Sequence, residues 1–401
     1  MTALEDVKVL DFSWVVAGPL ISLCLAQHGA TVVRIESTFR PEVLRYARPY
    51  KDNIPGINRS GYFAILNANK YSMALNLNHP QAIAVVKRLV LWADLVVENF
   101  TAGEMEKWGL GYENLKEINP GIIFVRCSVY GQTGPQAKHP GLGPFLAGSV
   151  GFQHLTGWPD RVPVVTAALT DQLAPDYALV LALRALDNRN KTGKGEYIDV
   201  SQYEVSMQAM APLLLDYFVN SKEAGRTGNS CPYAAPHGAY RCQGEDRWCA
   251  IAIFTDDEWR VFCNIIGKPE LATDTKFATL SARKENEEAL NQLVEEWTTM
   301  QTAEEVMTRL QNSGIAAGVV ANAEDLIQDP QLKHNQRFWV IEHPEIGPAY
   351  HFGHPFHVSR TPAQSRSPSP CLGEHTEYVC KEILNMDDTE FINLFNEKVF
   401  E

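Results

Sequence analysis

The run "VPVVTAALTDQLAPDYALVLALRAL" (Val162–Leu186) sets one acid, Asp171, between an apolar stretch and a helix-like stretch, with little other polar chemistry beside it. A carboxylate placed there has two uses. It can cap the helix, because Asp, Asn, Ser and Thr oxygens accept the orphan N–H groups of the first turn. Or it can stay free for reaction near the positive end of the helix dipole. Pro175 separates the two readings. Proline lacks an N–H and fits only a helix's first turn, so a strict cap at Asp171 would set Pro175 one position too deep. The expected helix therefore begins around Gln172–Ala174, with Asp171 just ahead of it and not consumed as its cap.

Other candidate groups are weaker. The first predicted strand leads into "FSWVVAGPLIS" (Phe12–Ser22), with a single Gly18 where a dinucleotide enzyme would carry GxGxxG, and there is no Walker loop. NAD and ATP are not expected. The apolar "WVVAG" could still hold a flat ring against backbone atoms. Arg34, Arg40, Arg45, Lys70 and Lys107, near predicted strand ends, could meet phosphates, although each alone reads as solvated surface charge. "KTGKGEYIDV" (Lys191–Val200) is a turn signal entering a strand. Eight cysteines occur without a CxxC pair and read as reduced thiols of a cytoplasmic protein. His334, His343, His351, His354 and His357 crowd the tail, but their spacing matches no zinc signature, so no metal is expected.

The elements that must position these groups alternate. Strands are expected at Val7–Ser13, Ala30–Glu36, Tyr71–Asn78, Asp94–Phe100 and Gly121–Gly131, with helices at Pro19–Gly29 and Pro80–Ala93. That order predicts an α/β, mostly parallel sheet covered on both faces, with its ligand beyond the C-terminal strand ends. From Ser230 to Ala321 the pattern changes to a hairpin, helices with charged faces and a closing strand, a smaller α+β domain. The tail is rich in Pro, Ser and His before a last helix. A chain of 401 residues suits two domains, and 45% apolar with 21% charged residues is ordinary for a globular protein. The plan is a large domain over 1–205, a linker over 206–229, a small domain over 230–325 and a return to the large domain over 326–401. A net charge of −13 argues against nucleic acid as a partner. Neither a secretory signal nor an apolar run of membrane-spanning length is visible, so no membrane partner is expected.

Six segments occur together and in order: "VLDFSWVVAGPLISLCLAQHGATVVRIES", "NANKYSMALNLNHPQA", "DLVVENFTAGEMEKWGLGYENLKEINPGIIFVRCSVYGQTGP", "TDQLAPDYALVLALRAL", "NKTGKGEYIDVSQYE" and "CLGEHTEYV". From about Leu4 to the C-terminal helix, the chain resembles the class III (CaiB/BaiF-type) CoA-transferases. That family includes formyl-CoA and carnitine CoA-transferases and shares its fold with α-methylacyl-CoA racemases. The resemblance implies a Rossmann-like large domain, a smaller domain and a homodimer of interlocked rings. It places the catalytic aspartate at Asp171, the adenine-binding loop at Val15, Val16 and Ala17, the CoA channel at Leu75, Asn99 and Phe100, and a phosphate contact at Lys107. Two positions depart from the pattern. Ser37 stands where a basic residue is usual, leaving Arg40 or Arg34 to replace it, and Pro175 stands where a glycine is usual.

The resemblance further implies covalent catalysis through an aspartyl anhydride and an aspartyl-CoA thioester. Acyl-CoA and a carboxylic acid would be the substrates, with no permanently bound cofactor. The chain looks closest to transferases using substituted dicarboxylates such as aryl- or alkylsuccinates, with succinyl-CoA a candidate donor. Arg45, Arg48 and Arg59, within Pro41–Ala64, could hold a second carboxylate. Two rivals remain open: a racemase, which needs a His opposite the Asp where this chain has Leu142, and a silent subunit of a heteromeric transferase.

Overall fold

The computed structural model describes residues 2–401. Contacts divide the chain into two compact units: one runs to Gln153 and adds Val165–Glu223 and Gln331–Glu401; the other joins His154–Val164 to Ala224–Pro330.

In the first unit six strands form one sheet: β1 (Lys8–Asp11), β2 (Thr31–Glu36), β3 (Lys70–Ala74), β4 (Leu95–Glu98), β5 (Ile123–Ser128) and β6 (Glu196–Ser201). Their order is β3-β2-β1-β4-β5-β6, and every pairing is parallel. Strands buried on both faces need near-continuous apolar runs, and "KVLD", "TVVRIE" and "LVVE" supply them. Alternate side chains then split between two cores. Leu10, Val33, Met73 and Val96 face Val85, Val86, Leu89 and Val90 of a helix over Pro80–Trp92, together with Val379, Leu394 and Phe400 of the returning C-terminus. Val9, Val32, Leu95 and Val97 face the other side, under helix α1 (Ala17–Gln27) and a long helix over Thr170–Thr192. The long helix meets that core through Ala174, Ala178, Ala182 and Ala185, a stripe of small residues at helical spacing that lets its backbone lie close to its neighbours.

The tail holds an element that its composition concealed. Phe338–His343 and Gly347–Phe352 pair as an antiparallel hairpin, where the Pro- and His-rich sequence predicts only loop. In the second unit His237–Arg241, Trp248–Ala252 and Ala316–Val319 form an antiparallel sheet. Its core gathers Ile251, Trp259, Phe262, Leu290, Val294 and Leu310, and capping boxes at Thr255/Glu258 and Thr302/Glu305 start two of its helices.

Candidate functional site

Strand order reverses between β1 and β4, and in open α/β sheets the crevice at that switch is where ligands bind. Here the two strand ends are tied together by Asn99. Its Oδ1 accepts from the Trp14 N–H at 2.8 Å, and its Nδ2 donates to the Trp14 carbonyl at 2.8 Å. The next residue, Val15, lies at φ 66°, a left-handed backbone that a β-branched residue adopts only when its surroundings impose it. The Glu42 carboxylate accepts the Val15 N–H. Val16 and Ala17 turn their side chains into the interior, so this loop presents backbone rather than side chains. The first turn of α1 has no side-chain cap, leaving its leading N–H groups without a side-chain acceptor.

Beside the loop opens a cavity of about 830 Å³, lined among others by Trp14, Ser37, Arg40, Leu75 and Phe100. That is within the size range of small-molecule and cofactor sites. Trp14 and Phe100 meet edge to face at 5.7 Å, and the Arg40 guanidinium lies 5.5 Å from the Trp14 ring centroid. Of the residues expected to hold CoA, Arg40, Leu75 and Phe100 therefore share one wall, with Asn99 and Val15–Ala17 shaping the loop behind it. Lys107 is exposed and paired with Glu104, which itself lines the cavity.

Three basic residues named as phosphate candidates are something else. Arg34, Arg45 and Lys70 are wholly buried, in a network with Asp11, Glu36 and Glu42. Arg45 holds Glu36 with two bonds of 2.8 and 2.6 Å, and Lys70 reaches Asp11 at 3.2 Å. Strand positions that look like surface charge in sequence here form three cation–anion partners inside the sheet's rim. Arg34 is thereby removed as a substitute for the missing basic residue at Ser37, and Arg40 remains.

Asp171 is 7% exposed and, among the described residues, its carboxylate makes no hydrogen bond. The helix over Thr170–Thr192 starts earlier than the proline predicts: Asp171 lies inside its first turn and Pro175 well within it. Pro175 cannot donate to the Asp171 carbonyl four residues back. The start is tightened instead, with the N–H groups of Asp171 and Gln172 donating to the carbonyls of Ala168 and Leu169, three residues back, at 3.1 and 3.0 Å. Room for the carboxylate comes from Gly143, the first residue of a short helix over Gly143–Ser149. A Cβ built there would lie 2.3 Å from Asp171 Oδ2. Sequence reasoning missed this contact, although "GLG" at Gly141–Gly143 was its available signal.

Burial alone pushes the Asp171 carboxyl up to about 6. Burial first, and then the Asp171 charge, raise the Tyr62 phenol, so these two groups lie within electrostatic reach. Tyr62 and Val15 both pack against the cluster of Val16, Leu44, Phe63 and Leu66, while Ala174, one turn beyond Asp171, shares a core with Ala17. The buried carboxylate and the start of α1 thus border one region. Of the three arginines considered for a second carboxylate, Arg45 is spent in the buried network. Arg59 donates to the carbonyls of Ile54, Lys51 and Glu345, stapling its loop to the tail hairpin. Arg48 is exposed and makes no ion pair among the described residues. Its neighbour Pro49 accepts the Gly61 N–H at 2.8 Å, beside the isolated antiparallel bridge Tyr50↔Ser60.

The chain belongs to CoA-transferase family III, whose model matches residues 4–376, and it is an enzyme of that class acting on CoA thioesters. Its relatives include the succinyl-CoA–D-citramalate CoA-transferase of Chloroflexus aurantiacus, 32% identical over 397 residues that cover 99% of this chain and 98% of the relative. The β subunit of the succinyl-CoA–L-malate CoA-transferase of the same organism is 32% identical over 403 residues, with coverage of 99% and 98%. Among solved structures, a CAIB/BAIF family protein from Brucella suis superposes with a TM-score of 0.86 at 30% identity, covering 95% of this chain and 99% of that one.

Proposed function

We propose that this enzyme moves CoA from succinyl-CoA to a substituted succinate through covalent intermediates on Asp171. The observation that carries the reading is the buried carboxylate of Asp171, unbonded and accommodated by the missing side chain of Gly143. A carboxylate stripped of water and of donors is a stronger nucleophile than a solvated one. Its oxygen attacks the thioester carbonyl, the C–S bond breaks, and CoA leaves as the thiolate from a mixed anhydride. The thiolate sulfur then attacks the aspartyl carbonyl, the anhydride C–O bond breaks, and the donor acid departs as a carboxylate, leaving an aspartyl-CoA thioester. The acceptor carboxylate attacks that thioester, giving a second anhydride and the thiolate. Attack of the thiolate on the acceptor's acyl carbon releases the new acyl-CoA and restores Asp171. No net proton is moved, so no general base is required.

The nucleotide would lie in the cavity between Arg40, Trp14, Leu75 and Phe100, with Val15–Ala17 and Asn99 at its inner edge and Lys107 meeting phosphate at the mouth. Both Chloroflexus relatives take a substituted succinate, which supports a diacid acceptor, and Arg48 is the free cation suited to its distal carboxylate. Where a racemase would need a base facing the aspartate, the residue beside Gly143 is Leu142, which cannot move a proton. Brief incubation with succinyl-CoA followed by intact mass and peptide mapping tests the proposal. A CoA adduct on the Asp171 peptide, absent in Asp171→Ala, is expected; no adduct in protein that binds CoA would sink it in favour of a silent subunit.

An interlocked homodimer belongs to the same reading, with the domain plan 1–205, 206–229, 230–325 and 326–401. It is supported by a helix over Ala211–Asn220 that buries none of its residues while exposing Leu215, Tyr217, Phe218 and Val219. The β-subunit relative makes a heteromer the alternative assembly. Eight free cysteines, six of them buried, suit a reducing cytoplasmic setting.

A further inference from the structure

Three metal-ligating side chains converge at the far end of α1 from the switch-point loop. Cys24 and His28 are one helical turn apart and so lie on one face. His354, which follows the tail hairpin, comes to meet them. The sulfur and one nitrogen of each imidazole all lie within 4.8 Å of one another. Spacing along the chain gave no hint of this grouping, because His28 and His354 lie 326 positions apart.

Nothing else employs these groups. Among the described residues none of the three makes a side-chain hydrogen bond, and His354 Nε2 is buried without a partner. The rings of His28 and His354 stack at 5.0 Å, and Phe356 lies against both, 5.0 Å from His354 and 5.7 Å from His28. They border a cavity of about 400 Å³ that Trp339 and His357 also line. The charges around the group are mixed. Asp176 acts on Cys24 from the long helix, Arg337 acts on His354, and Arg366 lines the cavity.

We infer that Cys24, His28 and His354 form a binding site for a zinc-class divalent transition metal, with an open fourth position for water. Thiolate and imidazole are the donors such ions favour. Tetrahedral ligands at roughly 2.0–2.3 Å from the ion lie about 3.5 Å apart. From separations no greater than 4.8 Å, closing to that spacing asks for a shift of about 1 Å at most, which the position of His354 in a loop after the hairpin permits. The thiol proton leaves for solvent as the ion binds. The ion would clip α1 to the C-terminal segment, away from the thioester chemistry.

Cobalt(II) titrated into the chelator-treated full-length protein tests this, since a thiolate-to-cobalt charge-transfer band reports a bound cysteine. One saturable equivalent is expected, displaced by zinc, which binds such sites more tightly, and accompanied by a rise in Tm. Cys24→Ser should abolish the band, and His354→Ala should weaken binding by more than about tenfold, the least that losing even a supporting group costs. His354 lies outside the packed core, so that variant answers if Cys24→Ser fails to fold. No band and no Tm shift, a band that survives Cys24→Ser, or unchanged affinity in His354→Ala would each overturn the proposal.

Discussion

Asp171 reaches about 6 because the fold withholds water from it, and reactivity and stability both inherit that value. On the proposed mechanism, formation of the covalent adduct should fall as pH drops through about 6, when Asp171 protonates, and level off above it; rapid-quench mass spectrometry across pH reads this. For stability the sign is opposite. The folded carboxyl has a higher pKa than the unfolded one, so folding carries no penalty below the ordinary value of 3.8. The penalty grows as pH rises to about 6 and then stays constant, at about 2–3 kcal/mol. Asp171→Asn should therefore raise Tm at pH 7 to 8, lose that advantage below pH 4, and cost roughly 10⁴-fold or more in turnover. Gly143→Ala tests the same atom from outside: its Cβ would press on Oδ2, so kcat should collapse while the protein stays folded, at about 1–3 kcal/mol of overpacking. Arg48→Gln should raise KM for dicarboxylate acceptors by roughly tenfold and leave monocarboxylates unchanged. Equal effects on both would remove Arg48 as the distal anchor.

Among the elements, the buried network reaches the site through Glu42, which pairs with Arg34 and accepts the Val15 N–H. Glu42→Ala removes one charge-assisted partner of Arg34 and leaves Asp11 at 3.6 Å and Glu36 at 3.7 Å, a loss of about 1.5–3 kcal/mol, and frees the loop. We expect weaker CoA binding by calorimetry in whatever fraction folds, with the Asp171 adduct still forming at saturating acyl-CoA. This network also marks what sequence could and could not tell. Apolar strand runs made the parallel sheet legible, because strands covered on both faces have no polar face to hide them. Arg34, Arg45 and Lys70 were illegible because a charge looks the same in a sequence whether water or a carboxylate solvates it. The tail hairpin was missed since Pro, Ser and His dominate its surroundings, and the early start of the Asp171 helix because its tight first turn accommodates Pro175. Asp171 itself stood out by its isolation among apolar residues, while Gly143 mattered only through what it lacks.

For the molecule as a whole, the helix over Ala211–Asn220 presents Phe218 at 78% and Val219 at 77% exposure. If the proposed dimer pairs through this face, replacing both with Asp should lower the mass to a monomer's by light scattering and reduce activity, whereas an unchanged mass would count against that contact. Charge is distributed in two ways across the same enzyme. Arg40 sits on the surface over Trp14, where mobile ions reach it; Arg34, Arg45 and Lys70 sit where none can. At physiological ionic strength a field at the surface fades within about 8 Å, while pairs in the interior are screened far less. On the proposed placement of CoA, added potassium chloride should therefore weaken capture of its phosphates while leaving the Val15–Ala17 loop unaltered. An ionic-strength series thus separates what recognises the nucleotide from what shapes its berth, without changing a single residue.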